Sequence, residues 1–181
     1  HITGGRIWEL DVDKKAYGLL YQTGNVQRIN PDFYLEIKDY PVFELISIER
    51  TVLANETNKV LIKKGIFKYS ASGVGQRLKL NGKSYYKYLL AVNSENIDDE
   101  LRYTLNIVAT VLTQKINERR LYSSRKSLME DIDKAKELQR SILPDHELKF
   151  HGYELFGVTI PAETLGGDFF DYLKIGDDES R

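Results

Sequence analysis

The chain has 181 residues, of which 41% are apolar and 29% charged, which supports a buried core and argues against wholesale disorder. A formal net charge of −1 disfavours a dedicated nucleic-acid binder. The absence of cysteine excludes disulfides, thiolate metal sites, a cysteine nucleophile and a cysteine-linked chromophore.

Charge divides the chain into three regions: residues 1–97 carry net +4, 98–143 net +1 and 144–181 net −6. In the first region His1 to Arg6 reads as a frayed end. Ala16–Gln22 is expected as a strand that turns at Thr23-Gly24-Asn25, with Val26–Ile29 as its hairpin return. Pro31 and Pro41 bracket an irregular stretch. Phe43–Ala54 places Leu45, Ile48, Val52 and Leu53 at mostly helical spacing. Ile66–Ser70 and Gln76–Leu80 are expected as strands separated by a Ser72-Gly73-Val74-Gly75 turn. Asn81-Gly82 is a strong hairpin signal. Ser84–Asn93 (SYYKYLLAVN) is the clearest strand.

The second region is helical, with no Gly or Pro between Gly82 and Pro144. Asn96 or Asp98 can cap its start, and Asp98, Asp99 and Glu100 suit the positive end of a helix dipole. Pro144 sets the stop. A continuous helix over 98–143 would run ~69 Å, so part of it must leave the first domain. Leu101, Leu105, Val108 and Leu112, widened by Ile107, Val111 and Ile116, form a stripe able to pack on a sheet. Beyond it the stripe narrows to Leu121, Leu128, Ile132, Ala135, Leu138 and Ile142. Leu121, Leu128, Ala135 and Ile142 are seven apart, the spacing of a coiled-coil seam, which Arg125 and Gln139 weaken. A helix folded onto its own domain is the alternative.

In the third region Tyr153–Thr159 alternates as a strand, Pro161-Ala162 interrupts it, and Gly166-Gly167-Asp168 leads into a second strand at Phe169–Leu173. Two strands are too few for a stable domain. The region therefore reads as the opening of a domain whose remainder is absent, and it ends in Asp177-Asp178-Glu179.

From Ala135 onward the chain resembles the start of the SpoIIE-like (RsbU-like) branch of the PPM metal-dependent protein phosphatases. The resemblance is carried by Ala135, Leu138, Gln139 and Ser141-Ile142-Leu143-Pro144, then Gly152-Tyr153-Glu154-Leu155, Pro161-Ala162 and Leu165–Tyr172 (LGGDFFDY). Ile142 and Phe170 depart conservatively from the commoner leucine and tyrosine. The first region with its helix resembles a GAF sensor domain, through its architecture and the YYKYLLAVN strand feeding a long helix. Together these imply an α+β fold: a GAF-like mixed sheet with helices (1–112), a coiled-coil-type linker helix (113–143) and the truncated start of a PPM phosphatase domain (144–181).

The resemblance implies a cytoplasmic serine/threonine phosphatase whose substrate is a phosphorylated anti-anti-sigma (STAS) protein, in partner switching that governs transcription. It also implies two manganese or magnesium ions, hard cations that prefer carboxylate oxygens, held about 3.5–4 Å apart to activate water and clamp phosphate. Asp168 matches a family metal-site aspartate, and Gly166 and Gly167 suit a close backbone approach. On an extended strand Asp171 would face away from Asp168, which gives it a structural role. One aspartate cannot hold two ions, so this chain by itself is expected to be inactive. A homodimer through the linker helix is expected, with the linker residues Leu121, Leu128, Ile132, Ala135, Leu138, Gln139 and Ile142 as the regulatory element.

Other readings are weaker. Gly166–Phe170 also resembles the GGDEF signature of diguanylate cyclases, but the glutamate is missing and too little chain precedes it. A histidine kinase needs a helical histidine, whereas His1, His146 and His151 all lie outside 98–143. His146 and His151, with Asp145 and Glu147 nearby, read better as an exposed loop than as a metal site. Lys63-Lys64 and Arg119-Arg120 read as solvated surface, so no nucleic acid is expected. No run reaches the ~20 apolar residues that span a bilayer, so no membrane partner is expected either. Tyr85, Tyr86 and Tyr88 suit a half-buried strand as well as a pocket, and the sequence names no ligand for the GAF-like domain. A non-enzymatic dimerisation and docking protein is the alternative from another class.

Overall fold

The structure, a computed structural model, describes residues 2–144, 147–160 and 164–173. The chain divides into two compact units, His1–Arg119 and Arg120–Arg181.

The first unit is built on a six-stranded sheet. Its strands are β1 (Ile2–Asp11), β2 (Ala16–Gly24), β3 (Tyr34–Glu36), β4 (Thr51–Asn55), β5 (Lys68–Leu80) and β6 (Lys83–Ser94). Their spatial order is 3-2-1-6-5-4. Every pairing is antiparallel, where a mixed sheet was expected, within an α+β architecture. Two helices, α1 (Val42–Glu49) and α2 (Lys59–Lys63), lie between the strands in sequence. Asn58 caps α2 by accepting the N–H groups of Val60 and Leu61.

Several expectations are corrected. Ile2–Arg6 is not a frayed end but half of a central strand, paired to β2 on one side and β6 on the other. Its inward side chains Arg6, Trp8 and Leu10 alternate as a half-buried strand requires. Val26–Ile29 forms no strand. The helix expected over Phe43–Ala54 stops at Glu49, because Arg50 takes φ +68° and the β-branched Thr51 and Val52 pair with Ser72 and Ala71 of β5. The turn expected at Ser72–Gly75 is instead a register shift within one long strand, where Gly75 takes φ +80°. The Asn81-Gly82 turn is present, with both residues at positive φ between paired Leu80 and Lys83.

One face of the sheet packs against α1 and α2 through Trp8, Leu10, Tyr17, Phe43, Ile46, Leu61 and Leu89. The other face of β4 and β5 meets α3 (Asp99–Ile142), whose first turn Asp98 caps by accepting the Leu101 N–H at 2.8 Å. That contact is polar. Ser72 and Thr51 hydroxyls are 2.7 Å apart, Thr51 donates to Asn106 Oδ1 at 3.1 Å, and the Thr113 hydroxyl accepts from Gly75 N–H at 3.0 Å and Arg50 Nη2 at 3.2 Å. Of the apolar stripe expected on the sheet, Leu105 is buried beside Ala109. Ile107, Val108, Val111, Leu112 and Ile116 stay exposed.

The second unit contains the rest of α3 and a hairpin of β7 (Glu147–Phe150) with β8 (Tyr153–Phe156). β8 is shorter than the strand expected to Thr159. Phe169–Leu173, expected as a strand, has no regular structure and no ladder partner among the described residues. Pro161-Ala162, His146 and Asp177-Asp178-Glu179 lie outside the described residues.

Candidate functional site

In the second unit the segment bearing Asp168 is held at both ends. The Gln139 carboxamide donates through Nε2 to the Gly166 carbonyl at 2.7 Å and accepts the Gly166 N–H at Oε1, 3.2 Å away. One side chain at the end of α3 thus satisfies both backbone groups of a glycine two residues before the aspartate. Downstream, the Phe170 ring covers Gly157 so closely that a Cβ there would collide with it. Phe170 and Tyr172 stack edge to face at 5.7 Å, and the Tyr172 hydroxyl lies 3.5 Å from the Leu155 carbonyl oxygen. Between these anchors Asp168 is exposed.

Asp171 is exposed too, and its carboxylate accepts the Tyr172 N–H at 2.7 Å. The opposite-face argument for Asp171 needed a strand that is not there; the local hydrogen bond is what assigns it a structural part. Among the described residues no group of three or more His, Asp or Glu stands close enough to hold a metal ion. Among the described residues Asp168 therefore offers one carboxylate only, which does not fit a metal pair. The loop reading of His146 and His151 rests partly on a residue outside the described set.

Of the expected linker residues, Leu121, Leu128, Leu138 and Ile142 are exposed, while Ile132, Ala135 and Gln139 are half-buried. Among the described residues, Gln139 is the one of these that a hydrogen bond brings to the Asp168 segment.

Sequence reasoning passed over Arg6. Its side chain is 2% exposed and reaches the Asn93 Oδ1 at 3.1 Å, the Gln27 carbonyl at 2.8 Å and the Lys64 carbonyl at 3.3 Å. It thereby ties two loops to β1 and β6. Burial holds its pKa below the usual arginine range. Arg6 also lines a cavity of about 40 Å³ between the sheet and the two short helices. The one available signal was alternation: Arg6 stands in phase with Trp8 and Leu10. Tyr85 is in the core, while Tyr86 and Tyr88 are half-buried, as a strand reading requires.

Comparison with family models, with curated proteins and with solved structures gives no match. Among the described residues no helix is long and apolar enough to cross a membrane.

Proposed function

We propose that this chain is the regulatory part of a metal-dependent protein serine/threonine phosphatase of the SpoIIE-like type, acting on a phosphorylated anti-anti-sigma (STAS) protein in the cytoplasm. In this reading the first unit is a GAF-like sensor, α3 is the transmission element of a homodimer, and the second unit opens the catalytic domain. The observation that supports it is the double hydrogen bond from Gln139 to Gly166. A carboxamide matched to both backbone groups of one glycine ties the position of the helix end to that of the neighbouring carboxylate. A change in how two copies of α3 pair would turn or slide Gln139 and carry the Asp168 segment with it. Coupling of this kind is typically worth about 1–3 kcal/mol. The exposed Leu121, Leu128 and Ile142, seven or fourteen apart, are the residues such pairing would cover. Manganese or magnesium chemistry belongs to the complete catalytic domain, and no step is assigned to a metal held here.

The test uses the protein expressed from its full coding sequence, with manganese and a phosphorylated STAS protein. Gln139→Leu should change basal activity at least fivefold or abolish its regulation, and polar replacement of Leu128 and Ile132 should do the same while lowering dimer content. A reading frame that ends at Arg181, or one with no second aspartate-glycine segment, would reject the enzyme and leave a docking protein. Activity and dimerisation unmoved by these substitutions would reject the mechanism.

A further inference from the structure

One end of the first unit's sheet carries a cleft of about 630 Å³, within the roughly 300–1,000 Å³ range of ligand pockets. It lies between the β1–β2 turn, the single turn of 3-10 helix at Ile37–Asp39, the start of α1 at Pro41 and the β5–β6 hairpin. Tyr85 is a core residue, 4% exposed, that lines this cleft. The hydroxyl of a core tyrosine normally finds a partner. Among the described residues none reaches the Tyr85 hydroxyl, yet that oxygen is not sealed from solvent. Lys83, two residues earlier on β6 and so on the same face of the sheet, reaches Glu44 of α1, and both of them line the cleft. Tyr85 therefore points to the cleft side, and its unused hydroxyl opens there.

The charges around the cleft do not balance. Four lysines (Lys14, Lys15, Lys38 and Lys83) and two glutamates line it, an excess of two positive charges. Glu36 pairs with Lys38 at 2.7 Å and Glu44 pairs with Lys83, while Asp11, from outside the cleft, takes Lys14 at 3.6 Å. Lys15 is left with no carboxylate among the described residues. Ile37, Pro41 and Leu80 supply apolar wall.

We propose that this cleft binds an organic monocarboxylate with an apolar body. Its carboxylate accepts from the Tyr85 hydroxyl and faces the Lys15 ammonium, and its body lies against Ile37, Pro41 and Leu80. About 630 Å³ has room for roughly twenty water-sized groups, so an acid of about ten to fifteen non-hydrogen atoms fits with water around it. One negative charge matches the one uncompensated ammonium, and an ionised acceptor makes the stronger hydrogen bond to the hydroxyl. Inorganic phosphate brings a second charge toward Glu36 and Glu44 and has nothing to place on the apolar wall. A neutral body of the same shape leaves Lys15 unmatched.

The test is calorimetric titration of the intact 181-residue chain with naphthylacetate and with phenylbutyrate. The neutral naphthylacetamide and inorganic phosphate serve as controls. At least one acid should bind saturably with one-to-one stoichiometry, and both controls at least fivefold more weakly. Tyr85→Phe removes an oxygen that the fold does not use. It should leave the urea midpoint unchanged and weaken the acid at least threefold. Lys15→Gln should weaken the acid at least fivefold, and added sodium chloride should weaken it in the unsubstituted chain more than in this variant. Saturation by neither acid, equal binding of naphthylacetate and its amide, or undiminished binding by either variant would overturn the proposal. The measurement is made on this chain alone, so its outcome is independent of the phosphatase reading.

Discussion

Replacing Thr51 by valine tests whether α3 is held to the sheet by hydrogen bonds. The substitution keeps shape and β-branching and removes one hydroxyl. Two contacts go with it, the 2.7 Å bond with Ser72 and the 3.1 Å bond to Asn106. The consequences for the two partners differ. Ser72 is fully enclosed, so its orphaned hydroxyl bears a desolvation penalty of about 1–3 kcal/mol. Asn106 is half-buried and can turn to water, so it loses less. A total of about 2–3 kcal/mol follows, roughly a 1–1.5 M fall in the urea midpoint for an m-value near 2 kcal/mol/M. The assay is Trp8 fluorescence, since the chain's single tryptophan lies in the core of the first unit and reports on that unit. The double variant Thr51→Val/Ser72→Ala removes the orphan along with its partner. It should therefore be about 1 kcal/mol more stable than the sum of the single effects predicts. Additivity within about 0.3–0.5 kcal/mol would mean that these hydroxyls are not bonded to each other, and the polar-seam argument would fail.

Three further outcomes follow from the same geometry. Burial raises the pKa of Tyr17 and Tyr69, so above pH 10 the folded state keeps protons that the unfolded state releases. Stability should be unaffected below about pH 10 and fall above it by up to about 1.4 kcal/mol per pH unit for each group, and Tyr69→Phe should flatten the slope in urea melts. Gly73→Ala places a methyl group inside the Tyr86 ring, which Arg50 and Arg77 approach at 5.9 and 5.2 Å, and should cost about 1–3 kcal/mol in the same melts. Asp98→Ala removes the cap on Leu101 and should cost about 1 kcal/mol, with faster amide exchange confined to the first turn of α3.

What the sequence disclosed were the features decided locally. The caps of α3 are written in Asp98 and Pro144, the tight turn in Asn81-Gly82, and β6 in its run of aromatic and apolar residues. What it concealed was decided at a distance. β1 carries a Gly4-Gly5 pair with no strand preference in its first half, and it is a strand there because β2 and β6 flank it. Residues 51–55 share helical spacing with the preceding helix, yet β5 takes them as an edge strand once Arg50 turns the chain. The bulge at Gly75 reads as a turn because glycine serves both purposes. In the second unit the Asp168 segment is ordered by side chains, so strand periodicity was the wrong test for it. Gln139 entered the reading through family resemblance, and its bidentate hold on Gly166 is a tertiary fact that no spacing rule contains. Arg6 was hidden by its place near the first residue, although its alternation with Trp8 and Leu10 was visible.

The polar seam and the exposed stripe on α3 bear on each other. A helix held to a sheet by apolar contact alone can slide or roll at little cost, because that attraction is not directional. The seam here is directional: Asn106 and Thr113 meet their partners at one rotation of the helix, and they surround Ala109, the one residue on that helix with no exposure at all. The sheet therefore fixes the azimuth of α3 while burying little of its apolar surface. Ile107, Val111, Leu112 and Ile116 remain exposed, more apolar side chains than a solvated helix needs. If α3 pairs with a copy of itself as proposed, the seam determines which of those residues face the pair. A perturbation of β4 or β5 would then reach the pair as a rotation of the helix, while α1 and α2, on the opposite face, could sense a ligand without touching the pairing surface.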